Sequence, residues 1–152
     1  MFASFGFPVN LDEYPLFLRL AKIDLNRDHF AIFGSAPLFI RGIISEPQDL
    51  DIVARGPAWD KACQLGEPTF DTPCQDPIIH FWGGRIEVFR EWLPPCCDTD
   101  KLIDEADLFG GFRFVQPEFV VAYKSILNRP KDLAHIEALR SLLHVDKLLR
   151  RK

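Results

Sequence analysis

The stretch of residues 77–92, PIIHFWGGRIEVFREW, constrains the fold more than any other part of the chain, because its pattern is typical of a β-hairpin. Two runs rich in strand-forming residues flank Gly83-Gly84, and paired glycines readily adopt the positive φ angles of a two-residue turn. This register places His80 opposite Glu87 on one polar face of the hairpin. The opposite, apolar face then holds Ile79, Phe81, Ile86 and Val88.

Two more strands are predicted upstream of the hairpin. Residues 29–33, HFAIF, form a short, nearly continuous apolar run that is typical of a buried strand. Gly34-Ser35 ends that run, and residues 36–43 then have the pattern of a helix. Residues 49–54, DLDIVA, form the second strand. Further helices are predicted over residues 11–23 (capped by Asn10), 58–65, 98–108, 117–127 and 131–149.

This order of elements predicts an α/β (α+β) fold, with a mixed β-sheet, flanking helices and a C-terminal helical pack. The chain has 152 residues, of which 47% are hydrophobic, so it can bury the core of a single domain. We expect one domain over residues 1–152, with its core at about 28–93 and a helical C-terminal part at about 98–152.

The composition also bounds the environment of the protein. No apolar run reaches the roughly 18 residues that a membrane-spanning helix needs, and the first residues lack the pattern of a signal peptide. A cytoplasmic protein without a membrane partner is therefore expected. The four cysteines have no CxxC spacing, which favours buried, reduced thiols over a zinc site.

Charge is distributed unevenly along the chain. From Lys124 onward the net charge is +5, whereas residues 1–123 carry −9. A basic C-terminal part either meets a phosphate-rich ligand or forms a solvated helix, and the charge pattern leaves both open. The acidic remainder argues against broad binding of nucleic acid.

Gly34-Ser35 stands where a strand passes into a helix, and this is a natural place to bind phosphate. Backbone N–H groups of such a turn can point at an anion. Gly34 lets the backbone approach a ligand closely, and the Ser35 hydroxyl can bond a phosphate oxygen.

Asp49 and Asp51 are two residues apart on a predicted strand, so both side chains project from the same face of the sheet. Neighbouring carboxylates repel each other unless a cation lies between them. Mg²⁺ combines carboxylate ligands with substrate phosphate oxygens. The two motifs together therefore predict a site for phosphate and a divalent metal.

These residues resemble the nucleotidyltransferase superfamily that shares its fold with polymerase β. The family pattern is a hydrophobic residue, Gly and Gly or Ser, followed after a spacer by Asp-hydrophobic-Asp/Glu-hydrophobic. This chain has Phe33-Gly34-Ser35 and Asp49-Leu50-Asp51-Ile52. The family adds a third carboxylate on a later strand, and Glu87, between Ile86 and Val88, matches it. The resemblance implies catalysis and metal binding by Asp49, Asp51 and Glu87.

Residues 121–136 are similar to a segment of small single-domain nucleotidyltransferases, the AbiEii-like group of toxin-type and resistance-type enzymes. In that group an Ala-x-Lys helix precedes Arg-x-Lys-Asp. Lys124 matches the lysine that binds nucleotide phosphate, and Asp132 matches the later aspartate. The resemblance thus implies nucleotide binding by Gly34, Ser35, Lys124 and Asp132.

The expected function is Mg²⁺- (or Mn²⁺-) dependent transfer of a nucleoside monophosphate from an NTP to an acceptor, with release of pyrophosphate. The acceptor stays open between RNA or a tRNA end, a partner protein and a small molecule. The first alternative is a non-catalytic nucleotide-binding or regulatory module on the same fold. The second is a structural or interaction domain in which Asp49 and Asp51 are ordinary surface residues.

Overall fold

The computed structural model describes residues 10–70, 76–91 and 98–150, and in that part of the chain six α-helices surround a single seven-stranded mixed sheet. The strands are β1 (Phe30–Phe33), β2 (Leu50–Ala54), β3 (Glu67–Thr69), β4 (Ile78–Phe81), β5 (Ile86–Phe89), β6 (Asp107–Phe109) and β7 (Phe112–Phe114). The helices are α1 (Pro15–Ile23), α2 (Ala36–Phe39), α3 (Gly56–Leu65), α4 (Thr99–Asp104), α5 (Pro117–Leu127) and α6 (Pro130–Arg150). The predicted α+β class is confirmed.

The strand order is β3-β4-β5-β2-β1-β7-β6. β1 is antiparallel to β2 and parallel to β7, and β2 is parallel to β5. The end of β1, the start of β2 and the β4–β5 turn therefore lie at the same edge of the sheet. We call this edge, which carries Gly34, Asp49 and the turn 82–85, the Gly34 edge.

Hydrophobic side chains cover both faces of the sheet. On the first face α1 and α3 pack against alternate strand residues, among them Ile32, Ile52 and Val88. On the second face α4, α5 and α6 pack against Phe33 and Val53. Because strand residues alternate between faces, Asp51 and Glu87 lie on the second face, toward α5.

The predicted hairpin is confirmed in its register. His80 pairs with Glu87, Ile79 with Val88 and Phe81 with Ile86. The strands are joined by the four-residue turn 82–85 and not by a two-residue turn, because β4 ends at Phe81 and β5 begins at Ile86. Gly83 and Gly84 both have positive φ, as predicted, and Trp82 does too.

Two differences from the sequence-based expectations concern the ends of helices. The helix predicted over residues 36–43 stops at Phe39, and Gly42 follows with a φ of +75° in a turn. The helix predicted to begin at Asn10 divides into a 3₁₀ turn at Leu11–Glu13 and α1. Asn10 nevertheless caps this start, since its side-chain oxygen accepts a hydrogen bond from the Asp12 N–H at 3.1 Å.

The part of the chain from about residue 98 is less helical than predicted. The helix predicted over 98–108 ends at Asp104, and β6 and β7 form a second hairpin around Gly110-Gly111. Pairing with β1 decides the conformation here, since Ile32 and Phe114 are partners in the sheet. The unpredicted strand β3 contains Pro68, which is tolerated because β3 is an edge strand.

Two sequence-based expectations about the environment of the chain can be compared with the structure. No helix in the described ranges has the length and apolar content required to cross a bilayer. Cys63 is exposed, contrary to the expectation of buried thiols. The other three cysteines, and Trp92, lie outside the described residues.

Candidate active site

The structure brings the two N-terminal motifs together at the Gly34 edge. β1 and β2 run antiparallel with Phe33 opposite Asp51, so the turn after β1 lies beside the start of β2. Asp51 lies within β2 and is mostly buried, whereas Asp49 precedes the strand and is exposed. The predicted proximity of the glycine-serine turn and the aspartate pair is therefore present.

Gly34 is in direct contact with the Asp51 carboxylate. Its φ is +72°, and a Cβ built on it would lie 2.7 Å from Asp51 Oδ2, closer than real Cβ atoms approach. From the sequence, Gly34 is expected to let a phosphate approach the backbone closely. In the structure its missing side chain also makes room for the carboxylate.

Glu87 joins the same face of the sheet. β5 runs parallel to β2 with Glu87 directly beside Asp51 in the register, and neighbouring strands lie about 4.8 Å apart. Burial, together with the negative charges of Asp49 and Glu87, raises the pKa of Asp51 to about 7, and the positive charge of Lys124 opposes this shift. Burial also raises the pKa of Glu87, where His80 opposes and Asp49 adds to the shift.

A row of ionisable residues crosses four adjacent strands on this face. The cross-strand partners are, in order, Glu67 with His80, His80 with Glu87, and Glu87 with Asp51. His80 Nδ1 lies 3.4 Å from Glu87 Oε2. His80 Nε2 is buried and has no hydrogen-bond partner among the described residues. Three members of the row, Glu67, His80 and Glu87, line a groove of about 520 Å³ whose lining also includes Trp82.

The chemistry of these carboxylates suits a divalent cation. Among the described residues, no three His, Cys, Asp or Glu side chains are grouped closely enough to enclose a metal ion by themselves. Mg²⁺, however, is commonly held by one or two carboxylates together with substrate phosphates and water. The negative charge of Asp51, which is disfavoured by burial and by the charges of Asp49 and Glu87, would be stabilised by such a cation. Asp49 and Asp51, beside Glu87, would hold it.

Lys124 does not lie where the sequence-based argument placed it. The apolar residues Phe119, Ala122 and Ile126 predict an inward face of this helix that leaves Lys124 overhanging a cleft beside the sheet. In the structure Ile126 is 56% exposed and Lys124 is only 2% exposed. The inward face of α5 is instead formed by Val120, Tyr123 and Lys124. These positions have the i, i+3, i+4 spacing of one helix face.

Lys124 is held by Asp132 and is close to Asp51. Its Nζ lies 3.3 Å from Asp132 Oδ1. Burial lowers the pKa of Lys124, whereas its ion pair with Asp132 raises it. The positive charge in turn lowers the pKa of Asp51. The two sequence motifs that were predicted to share one site are thus electrostatically linked.

Asp132 is fully buried and its oxygens are occupied by protein donors. Arg129 donates to it from Nε at 2.6 Å, from Nη2 at 3.0 Å and from its backbone N–H at 3.1 Å. These bonds, with that of Lys124, hold the pKa of Asp132 well below its usual range. The structure thus shows Asp132 in contact with Lys124 and Arg129, and its binding of nucleotide stays a prediction.

The sequence-based argument missed Tyr123. Its hydroxyl is buried and donates a 2.7 Å hydrogen bond to the carbonyl of Gly34. Burial raises the pKa of this hydroxyl, and the nearby Asp51 raises it further. The spacing from Val120 to Tyr123 would have placed the ring inward, but no sequence signal identifies Gly34 as its partner.

Ser35 remains available to a ligand. It precedes α2, and its side chain makes no capping hydrogen bond to that helix. Because α2 has only four residues, its helix dipole would add little to the binding of an anion here. A phosphate bound here, as predicted, would be contacted by the Ser35 hydroxyl and by the backbone of the turn.

Comparisons of this chain with protein-family models, with curated proteins and with solved structures find no match. The functional assignment therefore depends on the geometry described above and on the motifs in the sequence.

Proposed function

We propose that this protein is a Mg²⁺-dependent nucleotidyltransferase that transfers a nucleoside monophosphate from an NTP to an acceptor and releases pyrophosphate. The observation that carries the proposal is the position of Asp51. This carboxylate is mostly buried, contacts Gly34, neighbours Asp49 and Glu87, and is close to the buried cation of Lys124.

The residues of the chain have distinct tasks in this proposal. The Gly34-Ser35 turn binds the phosphates, and Asp49 and Asp51 hold the divalent metal with Glu87 beside them. Mg²⁺ bound there would neutralise charge on the triphosphate oxygens. Positioning and neutralisation of charge supply most of the catalysis in phosphoryl-group transfer.

Lys124 acts on the same site from α5. Its ammonium group is fixed by Asp132 and biases the electrostatic potential at Asp51. In the proposed reaction, this positive charge favours the negative charge that develops on departing pyrophosphate. Arg129, which is exposed and bonded to the same aspartate, adds to the positive potential.

A two-part experiment tests the proposal. First, the melting temperature is measured with each of the four NTPs, with and without Mg²⁺. An NTP at about 100 times its Kd should raise the melting temperature by about 5–10 °C, and only when Mg²⁺ is present. Second, the protein is incubated with α-labelled NTP and candidate acceptors, and transfer of label and release of pyrophosphate are followed.

Matched variants make the result specific. Asp51→Asn should abolish label transfer, whereas Asp60→Asn, which changes an exposed aspartate on α3, should leave it intact. Binding of NTP and Mg²⁺ without label transfer to any acceptor would favour the non-catalytic nucleotide-binding module. The absence of any NTP effect on melting would contradict both nucleotide-based functions.

A further inference from the structure

A second group of residues lies at the Gly34 edge, outside the carboxylate site. Arg19 projects from α1, and its guanidinium carbon is 5.8 Å from the ring centroid of Trp82 in the β4–β5 turn. Arg85 ends that turn. A groove of about 370 Å³ runs between the two arginines, within the size range of ligand pockets. Its lining consists of Pro15, Leu16, Arg19, Glu46, Pro47, Gln48 and Arg85.

Neither Arg19 nor Arg85 forms an ion pair with any residue in the described ranges, which distinguishes them from most other arginines there. Arg41, Arg55 and Arg113, for example, each contact an aspartate. Two guanidinium groups that line one groove, neither paired with a carboxylate of the described residues, attract anions to it. Their planar donor arrays match phosphate oxygens particularly well.

Trp82 stands between this groove and the carboxylate row. Its side chain is 41% exposed, and it also lines the neighbouring groove that contains His80 and Glu87. Its φ of +50° is uncommon for a bulky residue and costs conformational energy. The fold thus holds an exposed indole at the turn, between two arginines and the candidate catalytic carboxylates.

We infer that Arg19, Trp82 and Arg85 bind the end of a single-stranded nucleic acid, which serves as the nucleotidyl acceptor. The base stacks on Trp82, as bases do on exposed aromatic rings in single-strand-binding proteins. The arginines bind the adjoining phosphate, and the terminal hydroxyl points toward the groove of Glu87. The overall acidity of the chain does not oppose this local site, since Glu46 is the one acidic residue among its lining residues.

The acceptor role depends on the proposed nucleotidyl transfer, whereas binding of the strand does not. In the transfer, the terminal hydroxyl oxygen forms a bond to the α-phosphorus of the NTP. The bond from that phosphorus to the bridging oxygen of the β-phosphate breaks, pyrophosphate leaves, and the hydroxyl proton passes to water.

Strand binding is tested by fluorescence anisotropy with a short, unstructured, end-labelled oligoribonucleotide, in EDTA and without NTP. Arg19→Gln and Arg85→Gln should each weaken binding about five- to tenfold at low salt. Each should also reduce the slope of log Kd against log salt by about 0.7, the contribution of one phosphate contact in a single strand. The control Arg140→Gln removes one charge from an exposed position on α6 and should change the Kd by less than about twofold.

Trp82→Asn tests the stacking surface without disturbing the turn, because asparagine tolerates positive φ. This variant should weaken oligonucleotide binding about tenfold while leaving the salt slope nearly unchanged. The wild-type protein should also bind the oligonucleotide more tightly than it binds AMP.

The inference is overturned if the wild-type protein does not bind the oligonucleotide, if Arg140→Gln weakens binding as much as Arg19→Gln, or if AMP binds as tightly as the strand. The NTP melting assay is independent of these measurements. Strand binding without an NTP effect would remove the nucleotidyltransferase proposal and leave a strand-binding surface. An NTP effect without strand binding would remove this inference alone.

Discussion

The hydroxyl of Tyr123 donates a hydrogen bond of 2.7 Å to the carbonyl oxygen of Gly34, a residue 89 positions earlier in the chain. Gly34 is at the same time in contact with the Asp51 carboxylate. Gly34, in the turn after β1, is therefore in contact with two elements. Tyr123 of α5 bonds its carbonyl oxygen, and Asp51 of β2 occupies the space that a side chain on Gly34 would need.

Tyr123→Phe should lower the free energy of unfolding by about 1–2 kcal/mol, because a buried carbonyl loses its partner while the ring keeps its packing. That packing includes an edge-to-face contact with Phe33, whose ring centroid is 6.0 Å away. Urea denaturation measures the change. Tyr14→Phe is the control, since the Tyr14 hydroxyl has no partner among the described residues, and it should alter stability much less. Equal effects of the two substitutions would contradict the role of the hydrogen bond.

Gly34→Ala should be more harmful than Gly83→Ala. Both glycines have a φ near +70°, so both substitutions introduce similar backbone strain, on the order of 1–2 kcal/mol. A Cβ at Gly83 meets nothing within 4 Å, whereas one at Gly34 collides with Asp51. The difference in urea stability between the two variants isolates this collision. If the two variants are equally stable, Gly34→Ala alone should lose metal-dependent NTP binding. Equal stability together with equal NTP binding in the two variants would contradict the expectation.

The raised pKa of Asp51 predicts how stability depends on pH. In the folded protein this carboxyl keeps its proton to about pH 7, whereas in the unfolded chain it ionises near pH 4. The folded state binds more protons in this window, so the Asp51 contribution to stability falls as pH rises from about 4 to 7. Asp51→Asn should therefore exceed the wild type in stability at pH 8, by up to about 4 kcal/mol, and match it near pH 3.5.

Urea denaturation in EDTA at both pH values tests this expectation. Asp12→Asn, which changes an exposed carboxylate in the 3₁₀ turn, serves as the control and should show no such pH-dependent gain. Added Mg²⁺ should stabilise the wild type at pH 8 and have little effect on Asp51→Asn. An Asp51→Asn variant that is less stable than the wild type at pH 8 would indicate that the charged carboxylate stabilises the fold.

Removal of the Asp132 carboxylate should strongly destabilise the protein. Asp132→Ala leaves Lys124 buried without its partner, and breaking a buried pair in this way costs about 3–5 kcal/mol. The double variant Lys124→Met, Asp132→Leu should recover much of that loss, because it removes both charges. Glu105→Ala, which breaks the exposed 3.9 Å pair with Lys101, should leave unfolding nearly unchanged. Thermal and urea unfolding distinguish these outcomes.

Ser35→Asp should weaken NTP binding much more than Ser35→Ala. The alanine variant loses one neutral hydrogen bond, worth about 0.5–1.5 kcal/mol, whereas the aspartate places a negative charge against the triphosphate. Calorimetry with Mg²⁺-NTP measures both. Wild-type affinity in Ser35→Asp would exclude this turn from the nucleotide site.

The sequence was most informative where local pattern and long-range packing favour the same structure. The hairpin register, with His80 opposite Glu87, could be predicted because two glycines mark the turn and side chains alternate on both strands. The proximity of Gly34 and Asp51 could also be predicted, since strands that follow one another in the chain usually lie side by side in the sheet. Both predictions use only local rules and the family pattern.

The sequence was least informative where a neighbour distant in the chain determines the outcome. Lys124 was expected to project away from the core, because it lies two residues from Ala122 and from Ile126, which were predicted to pack inward. It is buried because the carboxylate of Asp132, on the next helix α6, supplies the compensating negative charge. Arg129 bonds the same carboxylate and does not pair with Lys124. β6 was predicted as helix because its pairing with β7, and the pairing of β7 with β1, cannot be inferred from the residues of β6 alone.

The central position of β1 has a consequence for the synthesis of this protein. β1 lies between β2 and β7, and all four of its residues are buried. Until Phe112–Phe114 has been made, β1 is an open apolar edge with unpaired backbone groups, the kind of surface through which nascent or truncated chains aggregate. We therefore expect chains truncated before residue 112 to collect in inclusion bodies, even though they contain Asp49, Asp51 and Glu87.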